Sequence, residues 1–131
     1  MPPTVPSILV VDDDSDTCRN LADILSDLGY RVDTAPDGPA ALELVRQNPY
    51  DVALLDFKMP GMNGLELYRE VRKLRAGTVA IIVSAYTNPA TREEALGAGA
   101  WQVLAKPVDF PKLLGQIETL LLERGASQQQ V

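Results

Sequence analysis

Two apolar runs in this chain each end abruptly in carboxylates. Ile8-Leu9-Val10-Val11 is followed by Asp12-Asp13-Asp14, and Val52-Ala53-Leu54-Leu55 is followed by Asp56. A short apolar run bounded by polar residues reads as a strand buried on both faces. Each carboxylate then stands where a strand leaves the core. If the two strands are neighbours in a parallel sheet, the carboxylates meet at one edge. Like charges a few ångströms apart repel by roughly 4 kcal/mol per pair at an effective dielectric near 20. Such an arrangement implies a bound cation or a carboxylate poised for chemistry.

The rest of the composition narrows the class. A chain of 131 residues is the size of one domain and can bury a core without disulfides or structural metals. The net charge of −6 argues against direct nucleic-acid binding and against attraction to an anionic membrane. No apolar run approaches membrane-spanning length, and residues 1–7 do not resemble a signal peptide. A single cysteine, Cys18, allows no internal disulfide and fits a reducing compartment, so a cytoplasmic location is expected. There is no histidine, which excludes histidine bases, ligands and phosphohistidine within the chain.

Periodicity supplies the order of elements. Residues 1–7 are expected to be a loose, proline-rich lead and 125–131 a polar tail, with one domain over 8–124. Strands are expected at Ile8–Val11, Arg31–Ala35, Asp51–Leu55, Thr78–Val83 and Trp101–Ala105. A first helix buries Cys18, Leu21, Leu25 and Leu28 and stops at Gly29. A short helix covers Pro39–Gln47 after Asp37-Gly38. A third, Leu65–Arg75, buries Leu67, Val71 and Leu74. A fourth begins at Asn88-Pro89 and is weak, ending in Gly97-Ala98-Gly99. The last follows Asp109 and buries Phe110, Leu113, Leu114, Ile117 and Leu121. Five strands alternating with five helices mean an α/β fold, a parallel sheet with helices on both faces.

Sites in open sheets of this kind lie beyond the carboxyl ends of the strands. Those ends carry Asp12-Asp13, Asp56, Ser84-Ala85 and Lys106-Pro107. Together with Asp56-Phe57-Lys58-Met59-Pro60-Gly61-Met62-Asn63-Gly64, this ordered set resembles the receiver domain of two-component response regulators, from about Ile8 to about Glu123. The resemblance implies the flavodoxin-like strand order 2-1-3-4-5. It implies that Asp56 is the phosphoacceptor and that Asp12, Asp13, Asp56 and the main-chain carbonyl of Lys58 hold Mg²⁺. Lys106 would pair with a phosphoryl oxygen, Ser84 would bond the phosphoryl group, and Lys106-Pro107 would be cis. The implied partners are a histidine kinase or histidine phosphotransfer protein and a downstream output domain or effector. The implied role is signalling phosphoacceptor, not enzyme with a turnover substrate.

The same residues admit other readings. Asp14 reads as a helix cap. Asp12-x-Asp14-x-Asp16 suggests a calcium loop but lacks its glycine, since Thr17 stands there. An aspartate-nucleophile phosphatase typically has a second acid two residues after the nucleophile, where this chain has Lys58. A receiver-like module without phosphorylation usually lacks the aspartates or the lysine, and all are present. Three residues before Lys106 many receivers carry a switching aromatic, and here Val103 stands. The expected output surface is helix 4, strand 5 and helix 5. Trp101 is open to two readings, a ring packed over the fourth helix or an anchor on that surface. Lys58 and Tyr86 flank the expected phosphoryl position, which implies a slowly hydrolysing acyl phosphate.

Overall fold

A computed structural model describes residues 5–85 and 88–129, with side chains through Glu123. The elements run β1 (Ser7–Val11), α1 (Ser15–Asp27), β2 (Arg31–Ala35), α2 (Gly38–Gln47), β3 (Val52–Asp56), α3 (Gly64–Leu74), β4 (Val79–Ser84), α4 (Pro89–Gly97), β5 (Gln102–Ala105) and α5 (Phe110–Gln129). All strand pairs are parallel and the order is β2-β1-β3-β4-β5, as the resemblance implied.

Side chains alternate across a strand, and here both faces are covered. Ile8 and Val10 join Cys18, Leu21, Leu25, Leu113, Ile117 and Leu120 in the layer of α1 and α5. Leu9 and Val11 join Ala41, Val45, Leu67, Val71 and Ala95 in the layer of α2, α3 and α4. That is why the apolar runs are continuous instead of alternating.

Helix ends follow local chemistry. The Asp14 carboxylate accepts from the main-chain N–H groups of Asp16 and Thr17, so it is a cap as expected. Gly29 has φ +95° and closes α1; Gly29 N–H donates to Ser26 O and Tyr30 N–H to Leu25 O. Asp37 and Asn88 cap α2 and α4. A capping box that the turn-like reading of Asn63-Gly64 hid opens α3: Asn63 accepts from Glu66 N–H, and Glu66 accepts from Asn63 N–H.

Several expectations are corrected. The first strand starts at Ser7, whose N–H donates to Asp51, so the lead ends one residue earlier. The helical backbone of α5 continues to Gln129, through most of the expected tail. Leu28 and Leu74 are exposed because they stand at helix ends, past the last turn that faces the sheet. On α5 the buried stripe is Leu113, Ile117 and Leu120, while Leu114 and Leu121 are half-buried beside it and Phe110 is exposed. The weak α4 buries one residue within its bounds, Ala95.

The stripe on α5 is testable by unfolding in urea. Leu120→Ala is expected to cost about 3 kcal/mol, as a cavity in a close-packed layer does. Leu122→Ala, at a position 75% exposed, is expected to change stability by less than about 0.5 kcal/mol. Equal effects at the two positions would contradict the assigned face.

Candidate functional site

The sheet register builds the site. Val11 pairs with Leu55, so Asp12 and Asp56 leave the sheet side by side. Asp56 pairs with Val83, one residue before Ser84, and Ser84 pairs with Ala105, one residue before Lys106. Four side chains from four adjacent strands therefore stand at one edge. Asp12, Asp56 and Ser84 are buried, Lys106 is half-buried and Asp13 is exposed.

Lys106 Nζ lies 3.1 Å from Asp12 Oδ2 and 3.1 Å from Asp56 Oδ1. The second oxygen of Asp12 accepts from Asp14 N–H at 2.9 Å, which fixes its carboxylate plane. Lys106 N–H donates to Ser84 O at 2.9 Å, and the Lys106-Pro107 peptide is cis. The main chain of the β3–α3 loop is held by Phe57 N–H on Val83 O and Gly64 N–H on Phe57 O, both at 2.8 Å. A Cβ at Gly64 would meet Asp56 O at 2.5 Å, so only glycine lets α3 start this close behind the carboxylate.

One ammonium does not neutralise three carboxylates. Burial, then the charge of Asp12, push the Asp56 carboxyl above its ordinary value, and the bond and charge of Lys106 only partly offset them. Burial alone would lower Lys106, but its bonds to Asp12 and Asp56 outweigh that and hold it above its ordinary value. One oxygen each from Asp12, Asp13 and Asp56 lie within 4.8 Å of one another, close enough to share an ion. These are hard oxygen donors at the mouth of a sheet, and they suit a hard divalent cation that keeps part of its water shell.

The expected residues Asp12, Asp13, Asp56, Ser84 and Lys106 thus converge. Lys58 follows Asp56 by two residues with its side chain exposed. Tyr86 lies outside the described residues. Cys18 is core, as expected: its thiol donates to Asp12 O at 3.3 Å, and burial, then the charge of Asp12, push it up. Of the two readings of Trp101, the one that packs its ring over the fourth helix is not what the structure shows. The side chain is half-buried against the α1–α5 layer, and its indole N–H donates to Glu123 of α5 at 3.2 Å.

The family model for the response regulator receiver domain matches residues 8–118. This chain belongs to that family. Among curated relatives, the receiver is 42% identical over 106 residues to the transcriptional regulatory protein ZraR of Klebsiella oxytoca, covering 81% of this chain and 24% of that regulator. The receiver thus spans about a quarter of that relative's length. Among solved structures, a CheY-like receiver domain protein from Methanospirillum hungatei JF-1 superposes with a TM-score of 0.90 at 33% identity, over 95% of this chain and 99% of the other. A response regulator from Burkholderia pseudomallei, solved with a phosphorylated aspartic acid, a calcium ion and citrate, gives 0.81 at 27% identity, over 94% of this chain and 72% of that one.

Removing the ammonium isolates its contribution. Lys106→Met leaves two buried carboxylates facing each other and is expected to cost about 3 kcal/mol in urea unfolding without divalent cations. Adding Mg²⁺ is expected to recover part of that loss. A cost below about 0.5 kcal/mol would mean that the pair is no stronger than an exposed ion pair.

Proposed function

We propose that this receiver is the phosphoacceptor of a two-component phosphorelay, with Asp56 the residue modified. The observation that carries the reading is the buried Asp56 carboxylate, held by Lys106 beside Asp12 and Asp13. A carboxylate is a competent nucleophile toward phosphorus. Asp56 attacks the phosphorus of a partner's phosphohistidine. The new P–O bond forms as the P–N bond breaks, and the imidazole leaves with a proton. The product is an acyl phosphate on Asp56. The donor is a histidine kinase or a histidine phosphotransfer protein, its histidine lying outside residues 1–131.

Charge neutralisation decides whether an anionic carboxylate can approach an anionic phosphoryl group. Bound Mg²⁺ supplies that neutralisation as a Lewis acid. Asp12, Asp13, Asp56 and the main-chain carbonyl of Lys58 hold it in this reading. Lys106 moves from pairing two carboxylates to pairing a phosphoryl oxygen, keeping its charge throughout. The Ser84 hydroxyl donates to the phosphoryl group and so registers its presence on β4. The chain turns over no substrate of its own, and its location is the cytoplasm with its donor. The face of α4, β5 and α5 then changes for a downstream effector or output domain.

The test is direct. Incubation with Mg²⁺ and acetyl phosphate is expected to add the mass of one phosphoryl group to the intact wild-type chain and none to Asp56→Asn. No gain in wild type, or a gain retained in Asp56→Asn, would sink the reading. Lys58 beside the acyl phosphate is expected to obstruct attacking water. Lys58→Ala is then expected to shorten the lifetime of the label by about tenfold, equivalent to roughly 1.4 kcal/mol of barrier. An unchanged lifetime would remove Lys58 from that role.

A further inference from the structure

Helix α4 buries little apolar surface and is tied to α3 and β5 by a few polar contacts. Within its bounds Ala95 alone is buried. Its C-terminal turn is held by α3, where Arg72 donates to Ala98 O at 2.8 Å and the Tyr68 hydroxyl to Gly99 O at 2.9 Å. Its middle is held by a second group on the edge strand β5. One nitrogen of the Arg92 guanidinium donates to Val103 O at 3.1 Å, and the other donates to Gln102 Oε1 at 2.9 Å. The same Gln102 oxygen accepts the Val103 N–H at 3.0 Å. Two side chains therefore bond both main-chain polar groups of Val103, one of them reaching across from α4.

The Val103 side chain itself is buried among the residues of the α2–α4 layer. A small β-branched side chain packed there has few rotamers to exchange. What can open and close at this position is the polar group around its backbone. Position 103 is also close to the reacting edge in the sheet. Ser84 pairs with Ala105, two residues on from Val103, and only residues 85–88 separate Ser84 from α4.

From this geometry we propose that Arg92 and Gln102 form a latch that pins α4 to β5, and that its release carries the switch at a position where a receiver would otherwise use an aromatic side chain. The proposal rests on the phosphoacceptor reading for its trigger: a phosphoryl group on Asp56 draws Ser84 at the end of β4, β5 responds through the Ser84–Ala105 pairing, and Arg92 leaves the Val103 carbonyl. A helix with one buried residue and a few polar ties belongs to the least stable end of a structure, where switching elements are drawn from. The latch gives it two discrete positions, pinned and released, which coupling between sites needs.

Amide hydrogen exchange on residues 1–131 in Mg²⁺, with and without acetyl phosphate, tests both halves, with intact mass recorded on the same samples. In the unphosphorylated wild type the Val103 amide and those of α4 are expected to be protected. In Arg92→Ala they are expected to exchange about tenfold faster, as loss of a charge-assisted tie allows, while the mass gained at Asp56 stays the same. Arg92→Lys keeps the charge but has one nitrogen for two acceptors, and is expected to fall between. Phosphorylation of wild type is expected to raise exchange at Val103 and α4 to the level of Arg92→Ala. The latch is overturned if Arg92→Ala exchanges like wild type. Its release by phosphorylation is overturned if the mass gain is complete and exchange at Val103 is unchanged. An absent mass gain overturns the trigger along with the phosphoacceptor reading, and the Arg92→Ala comparison still decides the latch.

Discussion

The contact on which the site depends is the one Lys106 makes with two buried carboxylates. Asp12 and Asp56 each give one oxygen to the same ammonium at 3.1 Å. Without it, two anions would be held side by side in a partly dry pocket by the sheet register alone. With it, the cluster still carries excess negative charge, since Asp13 adds a third carboxylate close by. The arrangement pairs one ammonium with two carboxylates and leaves a third acid close by, a set of oxygens that could hold a cation. A carboxyl perturbed in this way by burial and a neighbouring charge marks a candidate functional site.

The fold supplies this geometry through ordinary means. Parallel pairing fixes which residues end each strand together, and packing on both faces prevents a slip by one residue, which would turn every core side chain outward. Asp12, Asp56, Ser84 and Lys106 sit at the edge because Val11, Leu55, Val83 and Ala105 precede them in register. The Gly64 backbone then lets α3 approach the Asp56 carbonyl, so the loop that carries Lys58 is anchored at both ends. The acidic cluster at the edge and the packing of the layers are thus products of the same register.

Much of this was legible in the sequence because it is written in local patterns. An apolar run that stops at a carboxylate marks both a strand and its end, so Asp12, Asp13 and Asp56 could be placed before any coordinates. Ser84 and Lys106 were placed the same way, at the ends of the fourth and fifth strands, and the register brings them to the same edge. Helix faces were less secure. A period of 3.6 residues lets neighbouring leucines compete for the inward stripe, and on α5 Leu120 took the place expected for Leu121. The Asn63–Glu66 capping box was present in the spacing but concealed by the turn-like Asn63-Gly64 pair. Trp101 and Arg92 were harder still. Each is decided by side-chain contacts between elements, Trp101 with Glu123 and Arg92 with Val103 and Gln102, and such contacts leave no periodic trace.

The most direct test of the central claim is thermal unfolding of wild type and Asp56→Asn across pH, with and without Mg²⁺. The folded-state carboxyl of Asp56 titrates above its ordinary value. The folded chain therefore binds more protons than the unfolded one between the two values, and wild type loses stability as pH rises through that window. Asp56→Asn has no such group. It is expected to melt at a higher temperature than wild type at neutral pH without metal, and the gap is expected to close on acidification below the carboxylate range. Mg²⁺ at about a hundredfold its dissociation constant is expected to stabilise wild type by about 2.7 kcal/mol and the variant by much less. A variant that is no more stable than wild type at neutral pH, with no selective effect of Mg²⁺, would contradict the account of an acidic cluster held short of neutrality.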